Sequence, residues 1–387
     1  MFSKVPARPI FFDPNGHRRY IVSTIYWGAL SLAGVLVTCL VLTSLVGPVL
    51  PTIKLTGTQR LLSASFTAPP ASADEPRIDR EHVRNPISSA AFAATRYAHL
   101  VTWDENSIAS LKRNARSLDA LIVEWLSLGG PEGAIRSNAP DKELLVRRWV
   151  GANAPDLPLY PLVNNYDNEA KRWDGAAAAE MMASHRARTK FIDDLHRYVV
   201  AGSFHGAVLD FEQIPPTGQS DFKTLVQELS ARFRADRLQI FVQVPADDDD
   251  YDYQSLAASA DRLILMTYDE HIAAGVPGPI AGQGWFEAQL DARFKNIDAS
   301  KLIVSIGSYG YNWAGSGKGA EISVQEAWEL LAESGAKLRF DPTSLNPTFT
   351  YVDESQGIQQ QVWYLDGVTG YNQVAAALAM RPDGLAL

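Results

Sequence analysis

The sequence predicts an α/β chain, a (β/α)8 TIM barrel with a small antiparallel insertion between strands seven and eight, preceded by one transmembrane helix. Three observations predict it. From about Phe92 onward, strand-like apolar runs alternate with helical patterns eight times, the signature of parallel strands joined by helices. The run Gly206–Glu212 ends in two carboxylates, Asp210 and Glu212, where barrels of this kind keep their chemistry. From Ile21 to Val46 there is no charged residue, a length above the roughly 20 residues that cross a bilayer.

The N-terminal elements come first. Lys4, Arg8, Arg18 and Arg19 precede the apolar stretch, and the next basic residue is Lys54. That asymmetry places residues 1–20 in the cytoplasm and the rest outside, with residues 21–46 as a single-pass anchor in a bacterial plasma membrane. A cleaved leader is the other reading, but its apolar region usually runs to only about 7–15 residues. Residues 47–91, rich in Pro, Ala, Ser and Thr, read as a linker. The barrel occupies residues 92–387.

Within it the predicted strands are Tyr97–Trp103, Asp119–Leu128, Leu157–Val163, Gly206–Glu212, Leu238–Val244, Arg262–Tyr268, Lys301–Ile306 and Gly384–Leu387. Between them helical periodicity marks Asn106–Arg116, Asp174–Val200, Asp221–Phe233, Trp285–Phe294, Val324–Ser334 and Val374–Met380. Asp221–Phe233 carries Phe222, Leu225, Val226, Leu229 and Phe233 on one face. Leu338–Phe340, Thr348–Val352 and Gln360–Tyr364 read as short antiparallel pieces of an insertion spanning Lys337–Tyr364. An open doubly wound sheet is the competing fold, and the lack of a Gly-rich phosphate loop after the first strand counts against it. The last predicted strand is read as truncated, so the polypeptide is expected to continue.

Bulk properties narrow the function classes. The 387 residues are 46% hydrophobic and 20% charged, with a formal net charge of -9. That describes a globular chain with no electrostatic pull toward nucleic acid. A single cysteine, Cys39, excludes an intrachain disulfide. The seven histidines show no metal-ligand spacing, and no Gly-x-Ser-x-Gly nucleophile elbow occurs. No metal and no cofactor is called for. Asp247–Asp250 follow the fifth strand; they read as a solvated acidic loop or as an attractor for a cationic, partly deacetylated glucosamine polymer, and lack EF-hand spacing for calcium.

The carboxylate strand carries the chemistry. Residues i and i+2 of a strand point the same way, so Asp210 and Glu212 share a face opposite Leu209 and Phe211. Pro215 and Pro216 end the strand soon after. The segment His205-Gly206-Ala207-Val208-Leu209-Asp210-Phe211-Glu212 resembles the Asp-x-x-Asp-x-Asp-x-Glu motif of family-18 glycoside hydrolases, the chitinase-like barrels. The last Asp and the Glu match, while His205 and Val208 stand at the first two Asp positions. Leu265-Met266-Thr267-Tyr268-Asp269 resembles the family's strand-six signature. Asp269-Glu270-His271 and Pro277–Ile280 continue it as in spore-germination and cortex-lytic members. Gly307–Trp313 and Val362-Trp363-Tyr364-Leu365-Asp366 resemble later segments of the same subgroup. Residues 9–16 together with Val101–Asp104 and Ala109–Lys112 look like a bacterial membrane-protein subgroup in which this domain precedes a polysaccharide deacetylase and a family-2 glycosyltransferase.

The resemblance implies a membrane-anchored glycosidase that hydrolyses β-1,4-linked N-acetylglucosamine-containing glycans by a substrate-assisted retaining mechanism. Glu212 would act as acid and base, Asp210 would hold the substrate acetamido group, and Tyr268 would donate its hydroxyl to the acetamido oxygen. Asp269, Tyr309, Tyr311, Trp313, Trp363, Gln243 and Trp103 complete the expected substrate-binding set. In typical members the acid at the position of Val208 shares a proton with the last Asp. Its replacement keeps open a second reading, a non-catalytic barrel that guides a polysaccharide within a membrane synthase complex.

Overall fold

The computed structural model describes residues 94–387, apart from residue 316 and residues 354–356. The expected anchor, its cytoplasmic flank and the linker lie outside the described residues. Among the described residues no helix is long and apolar enough to cross a membrane.

Eight parallel strands close into a barrel. They are β1 (Thr95–Val101), β2 (Ala120–Leu128), β3 (Leu159–Asn164), β4 (Gly206–Asp210), β5 (Gln239–Pro245), β6 (Arg262–Met266), β7 (Leu302–Ser305) and β8 (Gly384–Ala386). Closure is made by β1, which pairs with β8 through Thr95↔Gly384 and with β2 through Tyr97↔Ala120. A short antiparallel strand, Ile135–Ser137, adds to β2 beyond the ring. The open-sheet alternative is thereby excluded, since no strand of the ring is left with a free edge.

Strand alternation divides the core in two. Tyr97, Ile122, Tyr160, Leu162, Val208, Phe241, Ile264, Ile303 and Ala386 fill the barrel interior. The opposite faces, among them Val123, Val163, Leu209, Phe211, Val242 and Leu265, pack against the helices. The apolar stripe predicted on Asp221–Phe233 lies on helix Gln219–Arg234, where Phe222, Leu225, Val226, Leu229 and Phe233 are all fully buried. Burial of each such side chain contributes ~1.5–3 kcal/mol.

The structure departs from expectation in three respects. The helical run predicted over Asp174–Val200 is two helices, Gly175–Ala183 and His185–Gly202. Ser184 breaks it, because its hydroxyl caps the second helix by accepting from the Ala187 N–H at 3.3 Å. Two helices went unassigned in the sequence, Pro140–Asn153 and Tyr253–Ser259. Proline at the start of the first was its available signal. The region between β7 and β8 holds a five-stranded antiparallel sheet ordered 319–323, 309–314, 358–364, 347–353, 339–340. It takes in Tyr309–Ala314 and Gly319–Ser323, which the reading of Lys337–Tyr364 left out. Helix Val324–Ser334 covers this sheet over Ile322, Phe349, Val362 and Tyr364.

Candidate active site

One step of two residues above the apolar interior, the barrel wall turns polar. His99 follows Tyr97, Glu124 follows Ile122, Asn164 follows Leu162, Asp210 follows Val208, Gln243 follows Phe241 and Ser305 follows Ile303. Strand period two puts each on the barrel side. The register brings Asp210 opposite Asn164 on β3 and opposite Gln243 on β5. Asn164 Nδ2 donates to Glu124 Oε1 at 2.9 Å. His99 Nε2 meets Gln243 Oε1 at 2.9 Å, which places the ring hydrogen on Nε2, and the Gln243 amide reaches Met266 Sδ at 3.3 Å.

Asp210 is 3% exposed, and its Oδ1 has no hydrogen-bond partner. Burial holds its carboxyl well above the usual range, Glu212 and Glu124 add to the rise, and the Gln243 amide opposes it. Glu212 lies just past the strand on the same side, since Phe211 between them points into the outer core. Its backbone is clamped by Asn165: the Glu212 N–H donates to Asn165 Oδ1 at 2.9 Å, and Asn165 Nδ2 donates to the Glu212 carbonyl at 2.8 Å. The Tyr251 hydroxyl donates to the Phe211 carbonyl at 2.8 Å, fixing the preceding peptide. The chain then turns at Gln213 with φ 53°. Gly175 allows that turn to pack, because a Cβ there would meet the Gln213 carbonyl oxygen at 1.8 Å. Burial, then Asp269 and Glu124, push the Glu212 carboxyl up to about 8. Glu212 therefore holds a proton near neutrality, the state a general acid needs.

The segment after β6 closes the other side. Thr267 is fully buried and donates to the Ser305 carbonyl at 2.7 Å. Tyr268 is partly buried, and burial raises its hydroxyl well above the phenol range, so it is a donor. Asp269 sits at φ 68° and accepts from the hydroxyls of both Tyr309 and Tyr311. These bonds oppose the rise that burial imposes on its carboxyl. Tyr268, Tyr309, Tyr311 and Trp313 form an edge-to-face series with centroids 5.8, 5.6 and 5.4 Å apart.

Not all the expected substrate contacts present a face. Trp313 is fully buried beneath Tyr311, so its ring has no side free for a sugar. Tyr309 and Tyr311 are committed through their hydroxyls to Asp269. Gln243 is 5% exposed and lies within the polar layer. Trp363 is half-buried beside Tyr311 in register, with its Nε1 unpartnered. Trp103 is 63% exposed at the end of β1. In the Asp247–Asp250 loop, Asp249 accepts from Arg293 Nη2 at 2.8 Å and Asp248 Oδ1 from the Asp250 N–H at 3.0 Å. Val208, at the place of an expected acid, is fully buried in the apolar layer. Among the described residues no group of three His, Cys, Asp or Glu side chains could hold a metal ion.

Sequence reasoning missed Glu124, Asn164 and Asn165. Glu124 had a signal, being the one charge in the apolar strand Ala120–Leu128. A bulge at Trp125 shifts the register between Glu124 and Leu126. Glu124 faces the barrel by alternation from Ile122, and past it the bulge turns both Trp125 and Leu126 to the outer core.

Comparison with known proteins agrees with this geometry. The family model for glycosyl hydrolases family 18 matches residues 172–377. An uncharacterized glycosylase of Bacillus subtilis, YvbX, is 31% identical over 200 residues, covering 48% of this chain and 57% of the relative. The cortical fragment-lytic enzyme of B. subtilis is 22% identical over 195 residues, covering 47% and 44%. The chain thus matches about half the length of these curated relatives. Among solved structures, a chitinase from Chromobacterium violaceum superposes with a TM-score of 0.70 at 27% identity, covering 76% of this chain and 93% of that one. The spore cortex-lytic enzyme SleL of Bacillus cereus shares the fold, with a TM-score of 0.66 at 18% identity over 76% and 70%.

Proposed function

The chain belongs to family 18 of the glycosyl hydrolases, and from that premise we propose that it hydrolyses β-1,4-linked glycans containing N-acetylglucosamine, with retention and substrate assistance. One observation carries the reading: Glu212, with its carboxyl pushed up to about 8, stands beside the buried Asp210 at the C-terminal mouth of β4. Glu212 donates its proton to the glycosidic oxygen as the substrate's acetamido oxygen attacks the anomeric carbon. The leaving sugar departs with that proton, and a cyclic oxazolinium forms. Asp210 accepts from the acetamido N–H and balances the positive charge, while Tyr268 donates to the acetamido oxygen. Water then adds to the anomeric carbon, and Glu212 takes back a proton. Only one carboxyl needs to cycle, as expected for this exception among glycosidases.

The wider proposal places this domain outside the cytoplasm, held by residues 21–46, with a secreted polymer or peptidoglycan as substrate. Deacetylase and glycosyltransferase domains are proposed to follow it in the full polypeptide. The uncharged apolar stretch and its basic N-terminal flank support the anchor. Release of reducing ends from N-acetylglucosamine oligomers tests the activity. Glu212→Gln is expected to bind oligomers while losing turnover by about 10²–10⁴-fold, the usual share of a general acid. Val208 supports a second reading, a barrel that binds and guides polysaccharide without cutting it. Oligomer binding by the wild-type chain with no reducing ends released would select it.

A further inference from the structure

We propose that Glu124 on β2 is a positioning residue of this site: from across Asn164 its charge keeps the proton on Glu212. The inference rests on the hydrolytic reading above for its consequence in turnover, but its geometry is independent of it.

Asn164 stands between two acids in the polar layer. Its neighbour on β4 is Asp210, in register, and its amide is given to Glu124 at 2.9 Å. Alternation from Ile122 faces Glu124 in, and the bulge that follows sends both Trp125 and Leu126 outward. A carboxyl so placed stands within electrostatic reach of both catalytic carboxyls, whose protons it helps retain. Its own carboxyl is pushed up to about 7 by burial and Glu321, against the Asn164 bond.

Titratable groups face this cluster from several elements. β1 supplies His99, whose basicity burial lowers. β4 and the turn after it supply Asp210 and Glu212. The segment after β6 supplies Tyr268 and Asp269, and the inserted sheet supplies Tyr309, Tyr311 and Glu321. The segment after β5 supplies Tyr251, whose hydroxyl Glu212 and Asp210 act on. Carboxyls thus crowd one small site and cannot all ionise together. When Glu124 ionises, its charge opposes loss of the proton from Glu212 and from Asp210. Glu212 then keeps the proton that the leaving oxygen takes. Val208, deep in the apolar layer, offers no group for this task.

The test is a titration of the full chain labelled with ¹³C at the Glu side-chain carboxyl, the Glu212 signal being identified by its loss in Glu212→Gln. Glu124→Gln has the shape to keep the Asn164 bond and lacks the charge. The Glu212 midpoint should fall by about half a pH unit or more, the low end of what a like charge in one site does. The basic limb of kcat/KM on N-acetylglucosamine oligomers should move down with it. Glu124→Asp, which keeps the charge, should restore the midpoint toward the wild-type value. A folded Glu124→Gln with an unmoved Glu212 midpoint overturns the proposal, as does a uniform loss of rate with an unmoved pH profile. A shifted midpoint in a chain that releases no reducing ends upholds the role of Glu124 and removes the hydrolytic reading instead.

Discussion

Replacing Asn165 with alanine separates the placement of Glu212 from the acid chemistry proposed for it. Asn165 is 2% exposed, and its amide satisfies both the N–H and the carbonyl of Glu212, at 2.9 and 2.8 Å. Removal leaves two backbone groups without partners, each costing about 1–3 kcal/mol when buried. The sum is about 2–6 kcal/mol, with the lower part expected because a water can enter a polar gap. Against a typical total of roughly 5–15 kcal/mol, the domain stays folded but is measurably weaker. Urea unfolding at constant m-value reads the loss as a lower midpoint. Turnover should fall further than stability implies, since a misplacement of about 1 Å costs about 10²-fold. Asn165→Asp is the control within the pair: it retains the acceptor for the Glu212 N–H, loses the donor to the carbonyl, and should fall between wild type and alanine in stability. A folded Asn165→Ala within about 0.5 kcal/mol of wild type, with most of its activity, would refute the clamp.

Three further outcomes follow from the same geometry. Tyr311→Phe removes one hydroxyl from Asp269; a bond to a charged group contributes about 1.5–3 kcal/mol to stability, so Tm should fall by several degrees, and kcat/KM should fall as Asp269 loses one of its two anchors. Gly310→Ala should destabilise the inserted sheet, seen as a lower Tm, because a Cβ would meet the Trp363 carbonyl oxygen at 2.3 Å and Tyr364 Cβ at 2.4 Å. Glu124 and Glu212 are raised from 4.5 to about 7 and about 8, so their contribution to stability is complete below about pH 4.5 and is lost as pH rises through those values. Melting at pH 5 and pH 9 should therefore show a gap that narrows in Glu212→Gln.

The barrel was legible because each strand is a short apolar run with β-branched residues, bounded by turn residues or by a change of period. Even the three-residue β8 was placed by Gly384-Leu385-Ala386 following a helix. The inserted sheet was only half legible. Tyr309–Ala314 alternates as a strand should, but its position next to β7 made it read as that strand's tail. The helical run at Asp174–Val200 hid its break because serine inside such a pattern is ordinary unless its hydroxyl is seen to cap. At the site, Asp210 and Glu212 were visible as a spacing. Asn165 was not, because an amide that binds backbone leaves no periodic trace. Glu124 was visible only as an anomaly, a charge in an apolar strand, and its inward aim follows from alternation with Ile122.

The two-residue step from the apolar layer to the polar one separates what folds this domain from what it does. Ile122, Leu162, Val208, Phe241, Ile264 and Ile303 hold the ring together, while Glu124, Asn164, Asp210, Gln243 and Ser305, two places on from five of them, supply the polar groups. Point changes in the upper layer rewrite chemistry on an unchanged scaffold. A single-residue insertion or deletion within a strand does the opposite, since it turns the acids into the helix layer and the aliphatics into the mouth. β2 has absorbed one such extra residue at Trp125 without that fate. Glu124 and the residues before it keep the lower register, so the acid stays in the mouth while Leu126 and the residues after it take a new one.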